Sequence, residues 1–136
     1  LSVSWYVPDT TQQQHIRVAF SNSVGAKMKF LEGPTIDTTT GTNSILCNHN
    51  RRSTNQSIIQ HPNMLDTSIV GINMFVSSEG VVIDSLFFGI AGNPSQVEPG
   101  ECSGLREIIT DSNTVYSFMI IGSADDGRAN IKLSWY

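Results

Sequence analysis

Regular alternation of apolar and polar residues at the end of the chain constrains the fold more than any other sequence feature. From residue 129 to residue 136, the odd positions carry Ala, Ile, Leu and Trp, whereas the even positions carry Asn, Lys, Ser and Tyr. A period of two places the two sets on opposite faces of an extended strand, one in a core and one in water. The pattern therefore predicts a half-buried strand.

The same period recurs near the start of the chain, in residues 1–7, 15–20 and 27–31. In the first of these segments the alternation predicts Trp5 in the core and Tyr6 on the outside. The second segment predicts Ile16, Val18 and Phe20 facing inward and Arg17 facing outward. Because Asn22 and Gly25 mark a turn, we expect the third segment to pair with the second.

Further short segments also favour strands, and Gly, Pro, Asn and Ser separate them. The segments are residues 45–47, 68–76, 81–88, 105–109 and 114–121. Residues 78–80 predict a hairpin turn, and the polar run 35–43 predicts an exposed connection. Residues 81–88 are apolar on both faces, so we expect either a central strand or a strand partly covered by another subunit.

Together these patterns predict a single all-β domain over residues 1–136, with eight or nine short strands and no helical segment. The composition agrees, because 24 Ile and Val residues stand against 12 Leu and Ala residues, and branched side chains favour strands. We expect an antiparallel β-sandwich, and a jelly-roll-like arrangement is the leading candidate.

The charge balance argues against two classes of partner. A net charge of −4 leaves no basic surface for nucleic acid or for anionic lipid. No apolar run reaches the length that a membrane-spanning helix needs, and the first residues lack the order of a secretory signal. We therefore expect a soluble protein that binds neither nucleic acid nor membrane.

The residues that usually carry catalysis or metal binding are scattered. His15, His49 and His61 have no carboxylate or cysteine at metal-ligand spacing, and no serine lies in a G-x-S-x-G motif. Cys47 and Cys102 stand alone, so two isolated buried thiols are favoured over a disulfide. The sequence thus predicts no enzyme, no metal and no cofactor.

The most distinctive polar cluster is residues 50–55, which include Arg51 and Arg52, two of the eight basic residues. Adjacent residues on a strand point to opposite faces, so one arginine could anchor within the protomer while the other reaches a neighbouring subunit. Two solvated arginines are the simpler alternative.

A carbohydrate-binding sandwich, such as a lectin or a receptor-binding fibre domain, is the alternative to an assembly role. The aromatic residues Trp5, Tyr6, Trp135 and Tyr136 could stack on a sugar. The alternation opposes this reading, because it places both tryptophans on the core face.

Several segments, taken in order, resemble the small head decoration or cement proteins of tailed bacteriophages. They are the strand 15–20, the segment 28–35 that ends in Glu-Gly-Pro-Thr, the Asn-His-Asn-Arg-Arg-Ser-Thr-Asn segment 48–55, the strand 113–118 and the closing Leu-Ser-Trp-Tyr at 133–136. The 48–55 segment is the most specific of these, because it is similar to the family's N-x-N-R-x-S motif. The stretch 61–104 carries no motif of the family.

The resemblance implies a structural virion protein with a jelly-roll-like sandwich, made in the host cytoplasm and bound to the outer surface of the capsid. Its partners would be the major capsid protein and further copies of itself, with a trimer favoured over a dimer. For contact with the capsid or between subunits we predict Asn50, Arg51, Arg52 and the apolar residues Leu86, Phe87 and Phe88. The last three are chosen because one small sandwich would not cover both of their faces.

Overall fold

The structure, a computed structural model, describes residues 1–9, 14–22, 25–47, 57–88, 102–123 and 128–135. These ranges contain eleven strands and no helix, so the all-β prediction is confirmed and the expected eight or nine strands were too few. The strands are β1 Ser2–Val7, β2 Gln14–Asn22, β3 Ala26–Glu32, β4 Thr35–Asp37, β5 Thr42–Ile45, β6 Ile69–Ile72, β7 Phe75–Ser78, β8 Val81–Phe88, β9 Cys102–Thr110, β10 Thr114–Gly122 and β11 Ala129–Trp135. Across the described ranges, no helix could span a membrane.

The strands form two packed antiparallel sheets and a small third sheet. The large sheet has the order β5-β6-β1-β10-β3-β8, and the second sheet has the order β11-β2-β9. Among the described strands, β4 and β7 pair only with each other. This arrangement is an antiparallel β-sandwich, and the jelly-roll connection remains a prediction.

The core lies between the inner faces of the two larger sheets. Trp5, Phe30 and Tyr116 come from three adjacent strands of the large sheet, and their ring centroids are 5.6 to 6.1 Å apart. Phe20 of the second sheet packs against Phe118 of the large sheet at 5.5 Å. Offset and tilted ring pairs at such distances are favourable beyond the area that they bury.

The alternation along β2 and β11 predicts their inward residues correctly. Ile16, Val18 and Phe20 are buried, while Arg17 is half-exposed. On β11 the inward set is Ala129, Ile131, Leu133 and Trp135, and all four pack against the core. Because β11 lies at an edge, these four remain only partly buried.

The other face of the large sheet is also buried at its centre. Ser4 and Ser117 are fully buried and share a hydrogen bond of 3.0 Å between their hydroxyl groups. The side chain of Met74 lies directly over Gly71 of β6, where no side chain competes for the space. Small residues in the middle of this face therefore allow a second layer of chain to pack against it.

This second layer makes the prediction for Tyr6 wrong. Tyr6 was expected on the outside, yet it is only 7% exposed. Its hydroxyl donates a 2.6 Å hydrogen bond to Oδ1 of Asn113, so this polar group has a partner within the chain. Alternation correctly placed Tyr6 on the face of the large sheet that points away from Trp5. It could not show that this face is buried as well.

Two predicted hairpins are absent because the chain changes sheets at both places. Strand β2 pairs with β11 and β9, whereas β3 pairs with β10 and β8, so residues 22–25 connect the two sheets. Likewise β7 pairs with β4 and β8 pairs with β3, so residues 78–80 do not close a hairpin. A turn signal in the sequence marks a reversal but does not identify the strand's partner.

Two further strand predictions need adjustment. The predicted strand 68–76 is divided into β6 and β7, because Asn73 adopts a left-handed φ of 54° between them. The predicted strand 45–47 is β5, which starts earlier and is exposed along its length. The polar run 35–43, expected as a connection, includes the short strand β4.

The connection between β9 and β10 is held by the hydroxyl group of Tyr116. This oxygen accepts a 2.8 Å hydrogen bond from the backbone nitrogen of Asp111 and donates one of 3.2 Å to Oε2 of Glu32. Burial, with a smaller contribution from the nearby carboxylate of Glu32, raises the pKa of Tyr116 to about 12. The protonated phenol thus links three strands at one end of the core.

The tight approach at Gly41 gives a testable prediction with an internal control. Gly41 has a φ of +73°, and a Cβ there would lie 2.8 Å from the backbone carbon of Asn73 and also contact the carbonyl oxygen of Ile72. Gly33 has a similar φ of +62° but open space around it. We expect Gly41→Ala to lower the free energy of unfolding by about 3 kcal/mol and Gly33→Ala by only about 1 kcal/mol. Equal losses in urea denaturation would contradict the steric account.

The environment of Tyr116 predicts a loss of stability in alkali. Its folded pKa of about 12 exceeds the ordinary tyrosine pKa of 10.0, so its contribution to stability is complete below pH 10. As the pH rises from 10 towards 12, the unfolded chain loses this proton before the folded chain does, and the free energy of unfolding falls. Tyr116→Phe should be less stable at pH 8 and should show a shallower decline above pH 10. Parallel pH profiles of the two proteins would contradict this assignment.

Candidate assembly surface

Strand β8 lies at an edge of the large sheet, so the expectation of a central strand is wrong. Within the described residues, it is hydrogen-bonded to β3 on one side only. The other half of the expectation, that a further subunit covers this strand, stays a prediction. Strand β8 is apolar on both faces. One face contacts the core, and the apolar residues of the other face point outward.

Exposed apolar side chains are concentrated on this strand. Val81 is 62% exposed, Val82 43%, Ile83 45% and Phe87 74%. Single exposed apolar residues are ordinary on protein surfaces, but several on one edge strand indicate an interaction site. The absence of Lys, Arg and Pro from β8 strengthens this indication, since those residues commonly protect an edge.

The structure separates the three apolar residues that were predicted as one contact. Leu86 lies opposite Met28 and packs, partly buried, against the core, and its role in contact stays a prediction. Phe87 is on the opposite face and is exposed. Phe88 pairs with Ala26 through its backbone, and its side chain lies outside the description. Asn50, Arg51 and Arg52 also lie outside the described residues.

Phe87 belongs to a row of outward-facing residues across three strands. Lys27 of β3 lies between Phe87 of β8 and Ile121 of β10 in the register of the sheet. The ammonium group of Lys27 is 4.9 Å from the centre of the Phe87 ring, which is a cation–π contact. Ile121 is 45% exposed. We call Lys27, Phe87 and Ile121 the β8 surface.

Phe87 was among the contact residues predicted from the sequence, whereas Lys27 and Ile121 were not. The three residues are far apart in the chain and become neighbours only through the pairing of β10 with β3 and of β3 with β8. Alternation alone could have shown that each of them faces outward. It could not have shown that they share one row.

The backbone of β8 is less suited than its side chains to binding a partner. Ile83 has no partner in β3, because the register passes from Val82 opposite Leu31 to Asp84 opposite Phe30. Such a bulge bends an edge strand, and an acidic residue on its inner face discourages the addition of another strand. The outward side chains are therefore the more suitable part of this edge for binding.

The described residues also bear on two other expectations, one about a thiol and one about aromatic groups. Cys47 is an exposed free thiol, not a buried one, because it follows the exposed strand β5. Trp5 and Tyr6 are buried, so this pair cannot stack on a sugar. In the part of the chain that the structure describes, no three His, Cys, Asp or Glu residues are placed to hold a metal ion.

Comparison with known proteins adds no relative to these observations. No family model matches the chain, and no curated protein or solved structure matches it either.

The separation of Leu86 from Phe87 gives a direct test. Replacing Phe87 by Ser should change the free energy of unfolding by less than about 1 kcal/mol, because the ring is mostly in water. Leu86→Ala should lower it by about 2 kcal/mol, since this side chain contacts the core. Urea denaturation of the two variants measures both effects. A larger loss for Phe87→Ser would show that Phe87 is structural and would remove it from the β8 surface.

Proposed function

We propose that this chain is a structural virion protein that binds the outer surface of an assembled phage capsid and bridges neighbouring capsid subunits. The observation that carries the proposal is the exposed apolar edge formed by β8, whose outward residues are Val82 and Phe87. A folded domain with such an edge is suited to assembly with other proteins. The resemblance of the 48–55 segment to the decoration family supports a capsid as the assembly.

The two kinds of predicted contact residue suit different partners. Arg51 and Arg52 would bind the capsid, because a guanidinium group recognises carboxylates or loop carbonyls through paired hydrogen bonds. The β8 surface would bind a further copy of the chain, because its exposed Phe87 and Ile121 side chains favour a closely packed protein contact. The result is a homo-oligomer with a jelly-roll-like protomer on the outside of the head.

Bridging explains how a small domain could stabilise a large shell. Once one protomer is bound, the remaining contacts of the same oligomer form at high effective concentration. Closed symmetry repeats each contact around one axis, so several modest interactions act together. Packaged DNA pushes the capsid subunits apart, and a bridge across their junction opposes that separation.

The proposal predicts binding to purified empty capsids of the phage that encodes the chain. The wild-type protein should co-sediment with these capsids at physiological salt, and Arg51→Ala/Arg52→Ala should bind about tenfold more weakly, a loss of roughly 1.4 kcal/mol. Arg17→Ala/Lys132→Ala is the matched control, because it removes the same charge from the outer face of the second sheet.

The outcomes separate the general proposal from the assignment of the arginines. Wild-type protein that stays in the supernatant would contradict the capsid role itself. Equal binding of the two double variants would contradict the role of Arg51 and Arg52. Thermal unfolding of both variants shows whether lost binding reflects lost structure.

A further inference from the structure

A short loop at residues 61–66 presents two apolar side chains to solvent. Gln60 pairs with Tyr6 of β1 and also with Thr67, which closes the loop at its base. Leu65 is 82% exposed and Met64 is 52% exposed. We call Met64 and Leu65 the tip.

Hydrogen bonds within the loop fix the position of the tip. The backbone nitrogen of His61 donates to the carbonyl oxygen of Asp66, and that of Met64 donates to the carbonyl oxygen of His61, both at 2.8 Å. Oδ1 of Asn63 accepts a 3.0 Å hydrogen bond from the nitrogen of Leu65. Met64 adopts a φ of 64°, which is unfavourable for a residue with a side chain. A rigid tip loses little conformational entropy when it binds, so it suits a preformed surface.

The tip and the β8 surface lie far apart on one protomer. Gln60 adjoins β1 on the side facing β6, whereas β8 is at the other edge of the sheet, four strand spacings or about 19 Å away. They also lie at opposite ends of the strands, because Tyr6 is level with Val115 and Phe87 is level with Ile121. A contact between the tip and the β8 surface therefore requires two copies of the chain.

We infer that the tip of one copy docks on the β8 surface of a second copy, in a head-to-tail contact. This inference rests on the proposed function, because it specifies how copies of the decoration protein associate. Leu65 and Met64 would pack against Phe87 and Ile121, all of which are exposed in the single chain. Asp66 follows the tip directly and would approach Lys27, which lies beside the Phe87 ring.

Charge decides between this arrangement and its alternatives. A two-fold contact between β8 surfaces would bring Lys27 near its own copy, and a two-fold contact between tips would bring Asp66 near its own copy. Like charges oppose both arrangements, whereas the head-to-tail contact pairs opposite charges. A lipid surface is also disfavoured for the tip, because residues 53–105 contain no Lys or Arg to attract anionic headgroups.

Head-to-tail contacts have a consequence for assembly. Each copy uses both of its surfaces, and the chain of contacts closes into a ring when the rotation between copies divides a full turn. In a closed ring, every tip is bound to the β8 surface of a neighbouring copy.

Disulfide trapping tests the contact directly, in protein that carries Cys47→Ser and Cys102→Ser so that neither native thiol can react. Leu65→Cys and Phe87→Cys are prepared separately, mixed, and oxidised both in solution and on capsids. Cross-linked dimers containing one copy of each variant are expected. A mixture of Leu65→Cys with Lys132→Cys is the control, because Lys132 is exposed on the outer face of the second sheet.

Each outcome has a definite meaning. Dimers of Phe87→Cys with itself, formed more readily than mixed dimers, would overturn the head-to-tail arrangement in favour of a two-fold one. Absence of mixed dimers both in solution and on capsids would overturn it outright. If wild-type protein still binds capsids in that case, the proposed function stands without this inference. Mixed dimers formed by a protein that does not bind capsids would support this contact and contradict the proposed function.

Exchange of the charges provides an independent check by sedimentation velocity. Asp66→Lys and Lys27→Asp should each weaken self-association about tenfold, and the variant with both changes should recover most of it. Failure of the double variant to recover, while it stays as folded as the single variants, would show that these two residues do not meet.

Discussion

The structure depends on the packing of three aromatic rings in the middle of the large sheet. Trp5, Phe30 and Tyr116 come from β1, β3 and β10, and each is at most 1% exposed. Their contact fixes the order of these central strands, and the second sheet closes over them through Phe20 and Phe118. Because aromatic side chains bury a large area each, this cluster supplies a major part of the hydrophobic stabilisation of a small domain.

Burial on both faces of the central strands determines where a partner could bind. Gly71 leaves room for the side chain of Met74 on the outer face, and Ser4 and Ser117 are fully buried there, so the middle of the sheet is covered by the chain itself. Exposed apolar residues remain on β8 and on the loop before β6, and others lie at Ile45, Phe75, Ile109 and Ile121. The proposed contacts use part of this exposed apolar surface.

The sequence of β8 resembles that of a central strand, although β8 lies at an edge of the large sheet. Its inner side contributes Leu86 to the core, while its outer side keeps Phe87 in solvent. The bulge at Ile83 and the nearby Asp84 oppose the addition of another strand along the backbone. Because the outer face of β8 is apolar despite these features, we expect β8 to bind a partner through its side chains and not through its backbone.

The sequence by itself determined most of the longer strands and the residues that face the core, because the period of two follows from the local geometry of an extended backbone. Alternation identified Ile16, Leu133 and Trp5 correctly for this reason. Only the tertiary structure decided that β2 and β3 belong to different sheets, that Tyr6 is buried, that Cys47 is exposed and that β8 lies at an edge. Those properties depend on which distant segments pair and cover one another, and a local pattern carries no information about its partner.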